Sequence, residues 1–224
     1  MCAFSLAHMR WQSGMVRHAL PVFVALLVAC TVSDAQEGWA SAERGRMWFR
    51  LCAACHGDRG EGRLDLAAPA IAGLPEWYVL AQLTKFRDGT RGTHPQDVAG
   101  LRMRPMARSL PTDEDLGAVA AYVAALPVQP PPPTITGDIA NGERQYVVCQ
   151  ACHGPDGRGN QPLMAPPLVK TNDWYLLTQL QNFKRGVRGA DPARDTAGSM
   201  MAPMAAALDE QTMRDVIAYI QTLR

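Results

Sequence analysis

No cysteine in this chain is left over for a structural disulfide. Six are present in 224 residues. Cys2 and Cys30 lie in the first 35 residues, and the other four fall in two Cys-x-x-Cys-His pentads, 52–56 and 149–153. A disulfide-stapled scaffold is thereby excluded. An excess of one charge is also lacking: the formal net charge is +1, so nothing global points to a nucleic-acid partner. The apolar run Ala19 to Val32 is too short and wrongly flanked to span a membrane. Aromatics are only 7% of residues, and two domains of about 90 residues would sit near the lower size limit for a self-sufficient core. Something apolar beyond the side chains should help hold them. Strand-like alternation is absent from both halves, which leaves helices.

The first 35 residues read as an export signal. Arg10, Arg17 and His18 supply a positive n-region ahead of the apolar run. Two processing patterns stand side by side. Ser33-Asp34-Ala35 would leave Gln36 as the new N-terminus, whereas Leu27-Val28-Ala29-Cys30 resembles a bacterial lipobox that would leave Cys30 acylated. The expected location is the periplasm, with membrane contact only through such an anchor or through membrane complexes.

The mature chain is a duplication. At an offset of 97 residues, Cys52-Ala-Ala-Cys55-His56-Gly57 matches Cys149-Gln-Ala-Cys152-His153-Gly154. Trp77-Tyr78 through Phe86-Arg87 matches Trp174-Tyr175 through Phe183-Lys184. The expected division is a first domain over 36–128, a Pro-rich linker over 129–135 and a second domain over 136–224. Pro127 to Pro133 should form an extended, semi-rigid spacer. Within each half the pattern predicts a helix running into the pentad, from about Ser41 and about Asp138. A middle helix follows, opening at Pro75 and ending before Gly89 in the first half. The last helix of the first half opens on Thr112-Asp-Glu-Asp115, a capping-box pattern, with an apolar stripe at Leu116, Val119, Ala120 and Val123. Met213, Val216, Ile217 and Ile220 repeat the stripe in the second half.

A Cys-x-x-Cys-His pentad at a helix end suits covalent haem. The two cysteines can reach the vinyl groups on one porphyrin edge, and the histidine turns beneath the ring as the proximal iron ligand. Cys52, Cys55, Cys149 and Cys152 are thus expected to form thioethers, with His56 and His153 on iron. A redox disulfide or half of a zinc site is the competing reading. Neither explains a fifth-place histidine duplicated in register behind an export signal. The sixth ligand follows from scarcity. Of five histidines, His8 and His18 lie in the signal, two are proximal, and only His94 remains. Methionine is the alternative, and Met/His ligation raises the potential. Met103 and Met106 are available in the first half, and Met200, Met201 and Met204 in the second.

The order helix, pentad, loop, Trp/Tyr helix, Met-x-Pro-Met, helix resembles class I cytochrome c, doubled as in the dihaem cytochrome c(4) family, over about residues 40 to 224. The resemblance implies an all-α fold of two tandem domains, each wrapped around one covalent haem c. In that family the ligand methionine usually stands seven places before the leucine that enters the final helix. Counting from Leu110 and Leu208 gives Met103 and Met201, with Met106 and Met204 as runners-up. The resemblance also assigns the Pro69 and Pro166 carbonyls as acceptors for the proximal histidines. It makes Gly45 and Gly142 the points where first and last helices cross, against Tyr122 and Tyr219. Trp77, Tyr78, Trp174 and Tyr175 would lie near haem edges or propionates, or serve as plain core.

The implied function is electron transfer. A dihaem carrier in a bacterial respiratory chain would pass electrons from a quinol-oxidising complex or a dehydrogenase to a terminal oxidase. The alternatives are a cytochrome subunit of a periplasmic dehydrogenase complex and a dihaem peroxidase-like enzyme, the last disfavoured by the methionine arms. The expected partners are redox proteins, and no catalytic residues are assigned. Each half is charge-balanced, eleven against eleven over 36–128 and nine against nine over 129–224. Locally the arms differ. Arg102, Arg104 and Arg108 surround Met103, while 199–207 carries no charge, so haem one should meet an acidic partner and haem two a more apolar surface.

Overall fold

Eight α-helices account for nearly all the regular structure among the described residues, 41–224 of a computed structural model. The expected export signal, Cys2 and Cys30 all lie outside that range. In bead one, α1 covers 41–56, followed by α2 (Glu76–Arg87), α3 (Val98–Arg108) and α4 (Asp113–Ala125). Bead two repeats the order with α5 (Ile139–His153), α6 (Asp173–Lys184), α7 (Thr196–Ala206) and α8 (Glu210–Thr222). Among the described residues, pairing between extended segments is limited to two isolated bridges, Arg63 with Ala68 and Asn160 with Ala165.

Local chemistry fixes the helix starts. The Thr112 hydroxyl accepts from the Asp115 N–H while the Asp115 carboxylate accepts from the Thr112 N–H, a complete capping box that satisfies two orphan donors of α4. Asp138, Asp97, Asp195 and Asp209 cap α5, α3, α7 and α8 through their carboxylates. Pro75 stands at the N-cap of α2, one place earlier than a first helical residue, with ψ 138° outside the helical region. Helices α3 and α7, which carry the methionines, were not expected. Each has a proline inside it, Pro105 and Pro203, which lowers helix propensity in the pattern while tertiary packing overrides it.

The apolar stripes of the final helices are the cores. Leu116, Val119, Ala120 and Val123 are all buried, as are Met213, Val216, Ile217 and Ile220; each large side chain contributes about 1.5–3 kcal/mol. The pentad helix crosses the last helix at a glycine in both beads. A Cβ on Gly45 would stand 2.3 Å from the Ala118 carbonyl oxygen, and one on Gly142 would stand 2.0 Å from that of Asp215. Tyr122 and Tyr219 flank these crossings, their Cβ atoms 2.7 and 2.9 Å from the same added atoms. We therefore expect Gly142→Ala to force the helices apart and cost about 2–4 kcal/mol. Gly117→Ala, where an added Cβ meets nothing within 4 Å in the middle of α4, should stabilise by about 0.5–1 kcal/mol. Chemical denaturation of the two variants beside wild type reads both signs.

Residues 42–224 form one compact unit, so the proline-rich segment does not hold two independent beads apart. Its end is pinned to bead two. The buried Asp173 carboxylate accepts from the Thr134 hydroxyl (2.8 Å), the Ile135 N–H (2.7 Å) and the Thr134 N–H. Arg224 closes the other side by donating to the carbonyls of Pro131 and Thr171.

Across the bead–bead contact the duplication shows as pseudo-symmetry. Arg91 donates to Gln82 of its own bead (2.7 Å) and to Gln179 of the other (3.2 Å); Arg188 donates to Gln179 (2.7 Å) and Gln82 (3.1 Å). Each guanidinium also lies over a phenylalanine of its own bead, Phe86 at 4.4 Å and Phe183 at 4.6 Å. Burial opposes ionisation of the Tyr175 hydroxyl beside them, but the two guanidiniums outweigh it and hold its pKa below the ordinary value. Two ion pairs break the symmetry, one of them between Arg194 and Asp88 at 3.7 Å. Lys85 meets the buried Asp195 across the contact at 2.6 Å, and the equivalent of Lys85 is Asn182.

Candidate functional site

Each pentad occupies the C-terminal end of a helix, and a glycine ends it. Gly57 and Gly154, at φ +84° and +82°, take the backbone where side chains rarely go. The chain then returns beneath the histidine. His56 Nδ1 lies 2.7 Å from the Pro69 carbonyl oxygen, and His153 Nδ1 lies 2.8 Å from that of Pro166. Because a carbonyl only accepts, Nδ1 carries the proton in both rings and Nε2 keeps its lone pair. Both imidazoles are buried. Burial lowers their pKa, against the opposing pull of the carbonyl hydrogen bond, and keeps them neutral. A neutral, oriented imidazole with a free Nε2 is what a metal takes.

The cysteines are equally informative. Burial pushes the Cys52 thiol up to about 11 and raises that of Cys149 as well. A redox-active pair needs a depressed thiol pKa, so the dithiol–disulfide reading loses its physical basis. Among the described residues no three His, Cys, Asp or Glu side chains converge as a metal-binding group, which removes the closed zinc site.

The remaining donors sort by burial. Met103, on α3, is half-buried and packs against the bead-one core together with Cys52, Ala53, Ile71, Val79 and Leu80. Met106, one turn later, is 36% exposed. On α7, Met201 is half-buried, whereas Met200 and Met204 are 54% and 49% exposed. His94, the spare histidine, sits in the loop before α3, where its Nδ1 accepts from the Gln96 N–H (3.2 Å). The aromatics expected near haem edges form edge-to-face pairs, Trp77 with Tyr78 at 5.7 Å and Trp174 with Tyr175 at 6.1 Å.

The residues present fit a haem. Each bead carries paired thiols, an imidazole with a free Nε2 and a half-buried thioether, and in bead one Met103 packs against the same apolar core as Cys52. Bead two supplies a further sign. Its apolar core is divided into a cluster around Tyr146, Val216 and Ile220, with Cys149 at its margin, and another around Leu177, Met213 and Ile217. Leu176 packs against both, and a flat apolar group in that bead would add to the core they form.

What the sequence pattern did not reveal is the contact between beads. Gln82, Arg91, Gln179 and Arg188 obey the offset of 97, yet a repeated polar residue looks the same whether it faces solvent or its own copy. Only the fold distinguishes the two.

Known proteins agree with this geometry. Residues 42–127 and 139–224 each match the cytochrome c family. The chain is 32% identical over 201 residues to the cytochrome c4 of Thiocapsa roseopersicina, covering 86% of this chain and 94% of that one. It is 32% identical over 179 residues to a thiosulfate dehydrogenase electron acceptor of Stutzerimonas stutzeri, covering 75% and 76%. The crystal structure of reduced cytochrome c4 from Pseudomonas stutzeri superposes with a TM-score of 0.66 at 29% identity, over 82% of this chain and 98% of that one. A thiosulfate dehydrogenase structure from Marichromatium purpuratum gives the same TM-score at 33% identity, over 81% of this chain and 40% of that one.

Proposed function

We propose that this chain, which belongs to the cytochrome c family and is a tandem dihaem protein of the cytochrome c4 type, carries electrons in the periplasm from a quinol-oxidising complex or a dehydrogenase to a terminal oxidase. It is a dihaem electron-transfer protein with two covalent haems c, joined through Cys52 and Cys55 and through Cys149 and Cys152. The observation that carries the reading is the pair of buried histidines, each with Nδ1–H committed to a proline carbonyl and Nε2 free, in beads that each carry a half-buried methionine.

The haem supplies the one-electron chemistry. The protein supplies ligation, burial and docking. His56 and Met103 would hold the iron of the first haem and His153 and Met201 that of the second, and an iron so held would have no place to offer peroxide or another substrate. The proline carbonyls hold the imidazole rings and their tautomer fixed, so no proton needs to move when an electron does. Apolar walls exclude water and favour the less charged, reduced state.

Optical redox titration of the purified mature protein tests this. Two one-electron, low-spin transitions at high potential are expected. A high-spin or low-potential component would overturn it in favour of a peroxidase-like enzyme.

A second reading concerns the donor. The thiosulfate dehydrogenase relatives favour a dedicated acceptor for a periplasmic dehydrogenase, in which fold and sites are unchanged and only the docking partner differs. On the docking face of bead one, Arg102 and Arg108 are exposed around the Met103 arm. Arg102 also donates to the Leu66 carbonyl at 2.8 Å. Replacing both with Gln should slow electron transfer with an acidic redox partner by about tenfold at low ionic strength. The difference should vanish at high salt. Stopped-flow measurements across a salt series decide it, and a salt-independent defect would point to damage in the loop instead.

A further inference from the structure

One peptide unit joins the two beads at a sensitive place. The Pro69 carbonyl accepts the Nδ1–H of His56 (2.7 Å), and the N–H of that same peptide, on Ala70, donates to Oδ1 of Asn172 in bead two (2.6 Å). Ala70 and Asn172 are both buried. Asn172 stands at the N-cap of α6, where an asparagine side chain ordinarily accepts from its own helix, but it makes no such bond. It reaches across to bead one instead. Its neighbours hold it there: the Thr171 hydroxyl donates to the Ala70 carbonyl (3.3 Å), and Lys170 Nζ donates to that of Gly73 (2.7 Å).

The strap runs one way only. At the offset of 97 the equivalent of Ala70 is Pro167, which has no N–H to give. The equivalence is structural as well: an added Cβ on Gly62 would meet the nitrogen of Ala70 at 2.4 Å, and one on Gly159 would meet that of Pro167 at 2.7 Å. Lys170, Thr171 and Asn172 correspond to Gly73, Leu74 and Pro75, none of which has a polar side chain. Bead two's histidine is therefore backed by a bare proline carbonyl, and bead one's by a carbonyl whose peptide is polarised from the other side.

We propose that Asn172 is a positioning residue that tunes haem one from the neighbouring bead, making the two haems unequal and tying the potential of the first to the docking of the second. The inference rests on His56 being the proximal ligand. Hydrogen bonds in a chain strengthen one another. With its N–H engaged by Asn172, the 69–70 peptide has a more negative carbonyl oxygen and accepts more strongly from His56 Nδ1–H. The imidazole gains anionic character and becomes a more basic ligand. That favours the oxidised iron and lowers the potential of haem one. One electron enters or leaves, the Nδ1–H stays on His56, and no bond is made or broken.

The test is the redox titration of full-length dihaem protein, with wild type read first. If wild type lacks two one-electron waves, the carrier reading fails before this inference is reached. Given two waves, Asn172→Leu should move one of them to higher potential, by about two- to fivefold in that haem's redox equilibrium, and leave the other in place. Ala70→Pro, which copies the peptide already used in bead two, should move the same wave in the same direction. The double variant should add nothing further. Asn172→Asp, a stronger acceptor, should move that wave the opposite way. Two waves that shift together, or that stay put in both Asn172→Leu and Ala70→Pro, would overturn the proposal. Ala70→Pro leaves the side chain at 172 intact, so a folding failure of one variant does not remove the other.

Discussion

Replacing both Cys149 and Cys152 with alanine is expected to leave a protein with one covalent haem and an unfolded second bead, while the matching pair at Cys52 and Cys55 leaves a loosened but helical first bead. The asymmetry follows from the cores. Bead one has a single continuous cluster in which Phe49, Leu83, Phe86, Leu110, Leu116, Val119 and Val123 are buried together. Bead two has two smaller clusters of three buried residues each, around Tyr146 and around Ile217. A haem that hid roughly 400 Å² of apolar surface in bead two would contribute on the order of 10 kcal/mol. That is the size of the whole stability of a small domain, about 5–15 kcal/mol. Haem content by pyridine haemochrome, helical circular dichroism and hydrogen exchange of α5 and α8 amides report the outcome. Persistent protection of those amides in the Cys149/Cys152 variant would show that the haem is not the centre of that core.

Much of this was legible in the sequence because the informative residues carry local rules. The pentads and the apolar stripes of α4 and α8 each state a constraint within a few residues and appear twice, the capping box at Thr112 marks α4 alone, and the crossings at Gly45 and Gly142 were implied by the family resemblance. Helices α3 and α7 were not legible. Pro105 and Pro203 argue against helix locally, and it is burial of Ala107 and Ala205 against the rest of each bead that holds the turns. The proline-rich spacer was legible as extended chain, but linker stiffness says nothing about whether surfaces at its two ends are complementary. The four-way contact of Gln82, Arg91, Gln179 and Arg188 shows that they are.

The site was legible to different depths. Attachment and the proposed proximal ligands come from one short motif, and the structure adds the proline carbonyls and a burial that lowers the pKa of both imidazoles. Five methionines compete for two places; the family spacing points to Met103 and Met201, and these are also the more buried of the five. Asn172 was invisible: nothing in its neighbourhood of sequence distinguishes a cap residue serving its own helix from one serving another bead.

Met201→Ala should therefore lower one reduction potential by on the order of a few tenths of a volt, within the ~0.8 V range that axial ligands span. It should also convert one haem from low to high spin. Met204→Ala and Met200→Ala should leave both signals where they are, since those residues are about half exposed and Met201 is the more buried. The same contrast applies on α3, between half-buried Met103 and Met106. The size of the effect comes from the thioether's preference for ferrous iron; losing it removes stabilisation from the reduced state alone. Packing cannot imitate this result. Truncating a half-buried methionine costs a few kcal/mol of fold stability at most, and that loss acts on both oxidation states alike. A potential that falls only when position 204 is truncated would reassign the ligand by one turn of α7, and would require Met204 to turn inward once the haem is seated.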